Sequence, residues 1–313
     1  MAAVLLALAA AVCFSGSDFA AGLAARGANV LRVTVVAEVT AAVLLVSVVP
    51  FVSGQTPSPR SLVWGAAAGI GGVVGAMALY LGFKYAAFSV ASSVSAVAAA
   101  AFSVLAGLLF GERPSALAIA GIALALPAIA AVSISTDAVS PGLDGDSEDP
   151  AAPAGGDSAT DPEGHPRQAP PGRHSAGVVA GLVSGAAFGV FFIGFNRAGS
   201  GTDLWPLVAA ELGGVVTVVC IAAVTGELGL PSAGTRGYSV LSGITAAVAT
   251  LTYFLATHRG LLAVIAVISS LYPAGTIVLA RVLLAERLTR IRMLGLCLAA
   301  ASVVLIAVAG AGM

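Results

Sequence analysis

The sequence is poor in charged residues, and this shortage excludes whole classes of protein. Charged residues make up 9% of its 313 residues, whereas soluble domains carry about 25%, so the chain cannot form an ordinary water-facing surface. It has no basic cluster with interleaved aromatic side chains, which argues against nucleic-acid binding. It has no phosphate-binding Gly-Lys-Ser/Thr loop either, which argues against a self-contained ATP-driven pump.

Cysteine is also scarce. Cys13, Cys220 and Cys297 each lie in a different apolar segment, and their spacing matches no metal site or redox motif. An odd number of cysteines argues against a disulfide framework, and we interpret all three as small, buried apolar side chains. We therefore expect no metal site, no cofactor and no catalytic residue set.

Long apolar segments dominate the chain. Apolar residues make up 58% of it and the mean hydropathy is +1.02. Each segment covers the roughly 30 Å hydrocarbon core at a rise of about 1.5 Å per residue. The sequence therefore predicts an all-α integral membrane protein with ten transmembrane helices. The predicted helices are 2–24, 30–51, 62–84, 88–110, 115–134, 175–196, 205–225, 237–257, 261–284 and 290–310.

One segment differs from the rest in composition. Eight of the fifteen acidic residues lie within residues 136–174, among Pro, Gly and Ala and almost no large apolar side chains. Such a segment cannot bury enough apolar surface to offset the entropy of ordering it. We predict that it is a disordered linker joining two five-helix units, residues 1–135 and 175–313.

The two units repeat each other at an offset of 174 residues. Residues 109–113 (LFGER) align with 283–287 (LLAER), and Gly121 aligns with Gly295 in the apolar run that follows. We expect Glu112 and its counterpart to lie near the positive end of the next helix along the chain. Because each unit has an odd number of spans, the two must face opposite ways in the membrane. Inverted five-helix repeats of this kind are typical of secondary transporters, which bind their substrate between the repeats.

Two glutamates lie deep within predicted spans. Glu38 (VAEV) and Glu211 (AAEL) are repeat equivalents after a one-residue slip. A charge in the bilayer core costs about 2.5 to 3.5 kcal/mol even on the lenient insertion scale, so each needs a reason to be there. One hypothesis is a shared site for proton coupling or cation recognition. The alternative is a structural carboxylate bonded to a neighbouring helix.

A second candidate site lies on the ninth span. Pro273 lacks the N–H that would bond the Ser269 carbonyl, so we expect a kink there that exposes polar backbone to a cavity. We predict that serines and tyrosines from the third, fourth, eighth and ninth spans line a substrate cavity together with the two glutamates. These residues are Tyr80, Ser92, Ser95, Tyr253, Ser269, Ser270 and Tyr272.

The short motifs resemble those of the drug/metabolite transporter superfamily, in its ten-helix EamA branch. The resemblance rests on residues 111–113 (GER), 285–289 (AERLT) and 80–86 (YLGFKYA), and it covers nearly the whole chain except the linker. It implies alternating-access export of a small organic metabolite or drug. The linker is longer and more acidic than the resemblance implies, and Glu38 and Glu211 stand where it implies Arg or Gln.

The expected partners follow from this resemblance. They are a small-molecule substrate, the lipid bilayer of a bacterial inner membrane and protons, with a homodimer left open. The rival interpretations are a non-transporting scaffold and an intramembrane enzyme in which His258 would act with Ser17 or Ser269. The spacing of those residues does not favour an enzyme.

Membrane orientation is predicted by two arguments that disagree. Four of the 14 Lys and Arg residues fall on the side of the termini, namely Arg60, Arg113, Arg197 and Arg259, and ten fall on the linker side. The positive-inside rule then places the linker in the cytoplasm. The resemblance implies cytoplasmic termini instead, and we follow the charge count.

Overall fold

The computed structural model describes residues 1–53, 56–85, 88–133, 171–199, 203–283 and 289–311. Within these ranges every regular secondary-structure element is an α-helix, and turns and loops connect them. The helices are α1 (Ala2–Ala25), α2 (Val30–Val52), α3 (Pro59–Tyr85), α4 (Phe88–Leu109), α5 (Ala116–Ser133), α6 (Pro171–Arg197), α7 (Trp205–Val224), α8 (Ala233–Thr257), α9 (Leu262–Ser269), α10 (Tyr272–Leu283) and α11 (Arg290–Ala311). The all-helical prediction is confirmed, and α9 and α10 together form the ninth predicted span.

The helices are long enough and apolar enough for a bilayer. In the described part of the chain, six could cross a membrane by length and composition. Four shorter apolar segments, Val94–Leu109, Ala116–Ala131, Leu262–Thr276 and Met293–Ala309, account for the other spans. Many large apolar side chains are exposed on the outside of the bundle. In water such a surface would be unstable, whereas in lipid the helices need only satisfy their own backbone groups.

The helix starts show the repeat at atomic detail. Asn29 Oδ1 accepts a hydrogen bond from Leu31 N at 2.8 Å, which caps α2. In the second repeat, Asp203 Oδ1 accepts one from Trp205 N at 3.0 Å, from one position before Leu204, the N-cap of α7. Side-chain caps of this kind satisfy backbone donors that the first helical turn leaves free. Asn29 and Asp203 lie 174 residues apart, whereas the glutamates further along the same two helices lie 173 residues apart.

The packing of the helices is symmetric between the repeats. Helix α1 packs along α8, and their counterparts α6 and α3 pack along each other. At one end of the bundle α2 packs against its own counterpart α7, and at the other end α5 packs against α11. A pseudo-twofold axis therefore passes between α2 and α7 and between α5 and α11.

Contacts along these pairs show that the repeats are inverted. On α1 and α8, Ser17 Oγ lies 3.1 Å from Ser242 Oγ, and Ser232 Oγ donates to the Gly27 carbonyl at 3.0 Å. Sequence position rises along α1 as it falls along α8, so the two helices are antiparallel. Helices α3 and α6 are antiparallel by the same test, since Gly194 packs against Trp64 and Ser184 bonds the Gly75 carbonyl. Because α1 and α3 share one direction, the second repeat runs opposite to the first.

Two details differ from the sequence predictions. The first is a boundary, because α6 begins at Pro171, before the expected start at 175; residues 136–170 of the predicted linker lie outside the described residues, and the linker stays a prediction. The prediction of three buried cysteines was wrong, because Cys220 and Cys297 are exposed on the outside of α7 and α11. A thiol is apolar enough to face lipid, so burial inside the bundle is not needed.

Candidate functional site

The two glutamates meet where α2 and α7 pack together. Glu211 is only 7% exposed, and its carboxyl group is close enough to that of Glu38 for the two to repel each other when both are charged. Glu38 lies above Gly214 of α7, where an added side-chain carbon would come within 2.8 Å of its Oε2. Glycine at position 214 therefore leaves the space that the Glu38 carboxylate occupies.

Close backbone contacts fix the position of each glutamate. A side-chain carbon added at Gly69 of α3 would collide with the carbonyl group of Ala210, the residue before Glu211. A carbon added at Gly243 of α8 would collide in the same way with the carbonyl group of Ala37, the residue before Glu38. Small residues let helices in lipid approach this closely. Four helices thus surround the carboxylate pair, two from each repeat.

The carboxylates have no described partner that would neutralise them. Across the described ranges, neither Glu38 nor Glu211 forms a hydrogen bond or ion pair, and the ion pair present there joins Arg32 to Glu227 at 3.1 Å, at the membrane surface. A buried charge without a partner is costly. A proton on one of the two groups removes both the charge and the repulsion. The arrangement therefore suits a site that gains and loses protons.

The polar cluster of the ninth span lies at a break in the helix. Helix α9 ends at Ser269 and α10 begins at Tyr272, with Pro273 in its first turn. The hydroxyl oxygens of Ser269 and Ser270 are buried, and among the described residues they have no hydrogen-bond partner. The carbonyl of Tyr272 accepts a bond from Ser15 Oγ of α1 at 2.7 Å. The break thus holds two unpaired hydroxyls deep in the bundle.

Other predicted cavity residues serve packing in this structure. Ser95 Oγ lies 2.7 Å from Ser184 Oγ, and Ser184 also donates to the Gly75 carbonyl at 2.7 Å, so these residues join α3, α4 and α6. Tyr253 is fully buried, and its hydroxyl donates to the Phe192 carbonyl at 3.2 Å. The side chains of Tyr80 and Ser92 lie outside the described residues.

The other predicted cavity residues lie in two separate places. The glutamates lie between α2 and α7, whereas Ser269, Ser270 and Tyr272 lie where the ninth span packs against α1 and α4. The sequence predicted one shared cavity for all of them. Aligning the repeats shows which residues are equivalent, but it does not show which helices are in contact.

Glu112 has a role that the sequence analysis assigned to the wrong helix. Its Oε1 accepts a hydrogen bond from Leu262 N at 2.6 Å and its Oε2 accepts one from Ala263 N at 2.9 Å. It therefore caps α9 in the other repeat, whereas Ser115 caps α5, the next helix along the chain. The repeated motif pointed to a cap but could not show which helix receives it. Its counterpart Glu286 lies outside the described residues.

Two of the residues named for the intramembrane-enzyme alternative, His258 and Ser17, bond other groups, whereas the Ser269 hydroxyl has no partner among the described residues. The two ring nitrogens of His258 lie 2.8 Å from the Phe254 carbonyl and 3.0 Å from the Gly199 carbonyl. Ser17 bonds Ser242 on α8. The described residues contain no cluster of three or more His, Cys, Asp or Glu side chains that could hold a metal ion.

These observations define a multi-pass helical membrane protein built from two inverted five-helix repeats. The model of the EamA-like transporter family matches residues 1–134 and 171–308. The chain therefore belongs to that family, and its general role is that of a membrane transporter.

Comparison with other proteins adds the fold. One solved crystal structure of a protein superposes with a TM-score of 0.71 at 16% identity, over 98% of this chain and 96% of the other. At that identity the match shows a shared fold. No curated protein matches the chain.

Proposed function

We propose that the protein is a secondary active exporter of a small organic metabolite or drug in a bacterial inner membrane, and that Glu38 and Glu211 couple transport to protons. The observation that carries the proposal is the carboxylate pair on the pseudo-twofold axis. Inverted repeats can exchange their conformations, which opens a central site first to one side and then to the other. A proton-binding group at the interface between the repeats would be exposed to each side in turn.

Each cycle then links a proton to a solute. When both carboxylates are charged, they repel each other across the α2–α7 contact. Protonation of one of them removes this repulsion. A solute that binds better to one conformation shifts the equilibrium by its difference in affinity. Protons entering down their gradient could in this way drive solute out.

The test begins with the substrate. Comparing metabolites in cells with and without the protein should identify a solute whose export depends on it. The purified protein is then reconstituted into liposomes, and flux of that solute is measured with and without an imposed pH gradient. We expect Glu38→Gln and Glu211→Gln each to weaken gradient-driven flux while solute exchange without a gradient continues. The double variant should lose little more than the worse single variant if the pair acts as one unit.

Glu227→Gln is the matched control, because it removes a carboxylate from the surface ion pair with Arg32. It should transport like the unmodified protein. Full gradient-driven flux in the double variant would end the coupling proposal. If the two glutamates only brace the helices, the variants should melt at lower temperature and lose exchange as well. A non-transporting scaffold predicts no flux in any variant.

A further inference from the structure

A cavity of about 310 Å³ opens at the end of the bundle where α3 begins and α6 ends. Ligand sites for small molecules start at about this size. The cavity, here called the arginine pocket, is lined by Ser58, Arg60, Ser61, Asn196, Arg197 and Gly199. It lies on the same side of the membrane as the chain termini, far along α3 and α6 from the linker.

The arginine pocket has excess positive charge. In the described part of the chain, no carboxylate forms an ion pair with Arg60 or Arg197. The nearby acid, Asp203, accepts bonds from neutral donors, Ser61 Oγ to Oδ2 at 3.0 Å and Trp205 N to Oδ1 at 3.0 Å. It keeps its negative charge, so the two arginines and Asp203 together leave one net positive charge at the pocket. The positive end of α3 and the negative end of α6 both face this space, so the two helix dipoles offset each other and the arginine side chains supply the field.

Arg197 is held in a position suited to binding. Its guanidinium carbon lies 4.7 Å from the centre of the Phe110 ring. Stacking uses the face of the guanidinium group and leaves the N–H groups at its edge free to bond. Those N–H groups match the geometry of a phosphate or carboxylate, which can accept two of them at once.

The arginines are not part of the helix start that the two repeats share. Ser61 Oγ donates to the Ser58 carbonyl at 2.9 Å, and in the second repeat Thr235 Oγ1 donates to the Ser232 carbonyl at 3.0 Å. This helix start is therefore built identically in both repeats. The arginines have no such counterparts, because Arg60 aligns with Gly234 and Arg197 aligns with Leu23.

The contrast with the opposite membrane surface supports the same conclusion. There Arg32 pairs with Glu227 at 3.1 Å, and Arg236 Nε donates to the Pro231 carbonyl at 3.1 Å. Arg32 and Arg236 thus have partners within the protein, whereas Arg60 and Arg197 converge on one cavity and, among the described residues, form no ion pair with a carboxylate.

We propose that the arginine pocket binds an oxyanion, either the phosphate or carboxylate group of a solute or the phosphate of a lipid headgroup. Arg60 and Arg197 supply the charge, and the Asn196 and Ser58 side chains lie at the edge of the same space. The proposal does not depend on transport or on Glu38 and Glu211, so a binding experiment tests it separately.

The test uses inorganic phosphate as the probe on the purified full chain in a neutral detergent, with ionic strength held constant by chloride. The two tryptophans, Trp64 and Trp205, report the melting transition by fluorescence. A ligand that binds the folded protein raises the melting temperature in a saturable way. We expect phosphate to do this, and Arg60→Gln and Arg197→Gln each to weaken its apparent affinity by about tenfold or more.

Arg26→Gln is the control, because Arg26 is exposed at the opposite surface and its loss removes the same charge. It should leave the phosphate affinity unchanged. Arg197→Gln removes the contact with Phe110 and could lower stability for that reason alone. Arg60 is exposed, so Arg60→Gln tests the proposal without that complication. The proposal is overturned if phosphate acts no more than chloride does and anionic lipid also has no effect. It is also overturned if the double variant keeps the unmodified affinity.

Bilayer discs distinguish the two sources of the oxyanion. If a lipid headgroup is the ligand, adding phosphatidylglycerol to phosphatidylcholine discs should raise the melting temperature and remove the response to phosphate. If a solute is the ligand, phosphate should act equally in both kinds of disc. In either case the gain should disappear in the Arg60→Gln, Arg197→Gln double variant.

Discussion

Gly243 packs so closely against Ala37 that a side-chain carbon added at Gly243 would collide with the Ala37 carbonyl group and lie 2.7 Å from Cβ of Thr40. The same contact recurs between Gly69 and Ala210. Each glycine contact therefore fixes the position, along the helix axis, of the glutamate that follows the alanine. In both contacts the glycine of one repeat packs against the alanine of the other. The two carboxylates therefore occupy equivalent positions about the pseudo-twofold axis.

We predict that Gly243→Ala destabilises the protein by roughly 1–3 kcal/mol, the usual cost of forcing an extra carbon into a packed interface. The added methyl must push α2 away from α8, and Glu38 moves with α2. Thermal melting measures the loss, and gradient-driven flux should fall with it.

Gly237→Ala is the matched control on the same helix. Nothing lies within 4 Å of a carbon added at Gly237, and alanine favours a helix more than glycine does. This variant should melt at the same temperature as the unmodified protein or higher. Equal melting temperatures for the two alanine variants would show that the α2–α8 contact is looser than described.

The second prediction concerns Glu112. Glu112→Gln leaves one carbonyl oxygen where the carboxylate accepts two N–H bonds, and it turns an NH₂ group towards a backbone donor. Loss of a helix cap costs about 0.5–2 kcal/mol, so the melting temperature should fall. Glu227→Gln provides the comparison, because exposed ion pairs contribute only about 0–1 kcal/mol. An equal effect of the two substitutions would contradict the role of Glu112 in holding α9.

Much of the fold follows from local patterns that repeat. The glutamates at 38 and 211 could be found by aligning the halves of the chain, because equivalent helices pack in equivalent ways. The inverted arrangement follows from counting spans. The EamA-like family prediction is confirmed by the match to both repeats.

Contacts between the repeats could not be predicted in this way. Glu112 bonds residues about 150 positions further along the chain, and nothing in its own motif distinguishes that helix from the next one. Tyr253 has the polarity of a cavity residue, but its ring packs among aromatic side chains of α6, with the Phe192 ring centre 4.9 Å away. Alignment shows equivalence, whereas packing decides which equivalent residues meet.

The third prediction concerns membrane orientation. If the linker is cytoplasmic, as the charge count indicates, a fluorescent reporter that matures only in the cytoplasm should be dark when fused after Met313. The same reporter inserted within residues 141–160 should be bright. The reverse pattern would show that the termini are cytoplasmic, as the family resemblance implies. It would also place the arginine pocket on the cytoplasmic side.

The last prediction tests the break between α9 and α10. Ser269→Ala and Ser270→Ala each remove a buried hydroxyl that has no partner among the described residues. Removing an unsatisfied polar group is neutral or stabilising, so neither substitution should lower the melting temperature. Ser95→Ala is the contrast, since it removes a hydroxyl bonded to Ser184 and should cost about 1 kcal/mol.

Flux separates the two roles of these hydroxyls. If Ser269 and Ser270 bind the solute at the break, their alanine variants should raise KM for transport without a loss of stability, because a ligand that needs those hydroxyls loses its bonds. Ser95→Ala should lower stability and leave KM unchanged. A fall in melting temperature with normal KM for the Ser269 and Ser270 variants would show that the hydroxyls only stabilise the bundle. The substrate would then have to be sought elsewhere, starting with the space around Glu38 and Glu211.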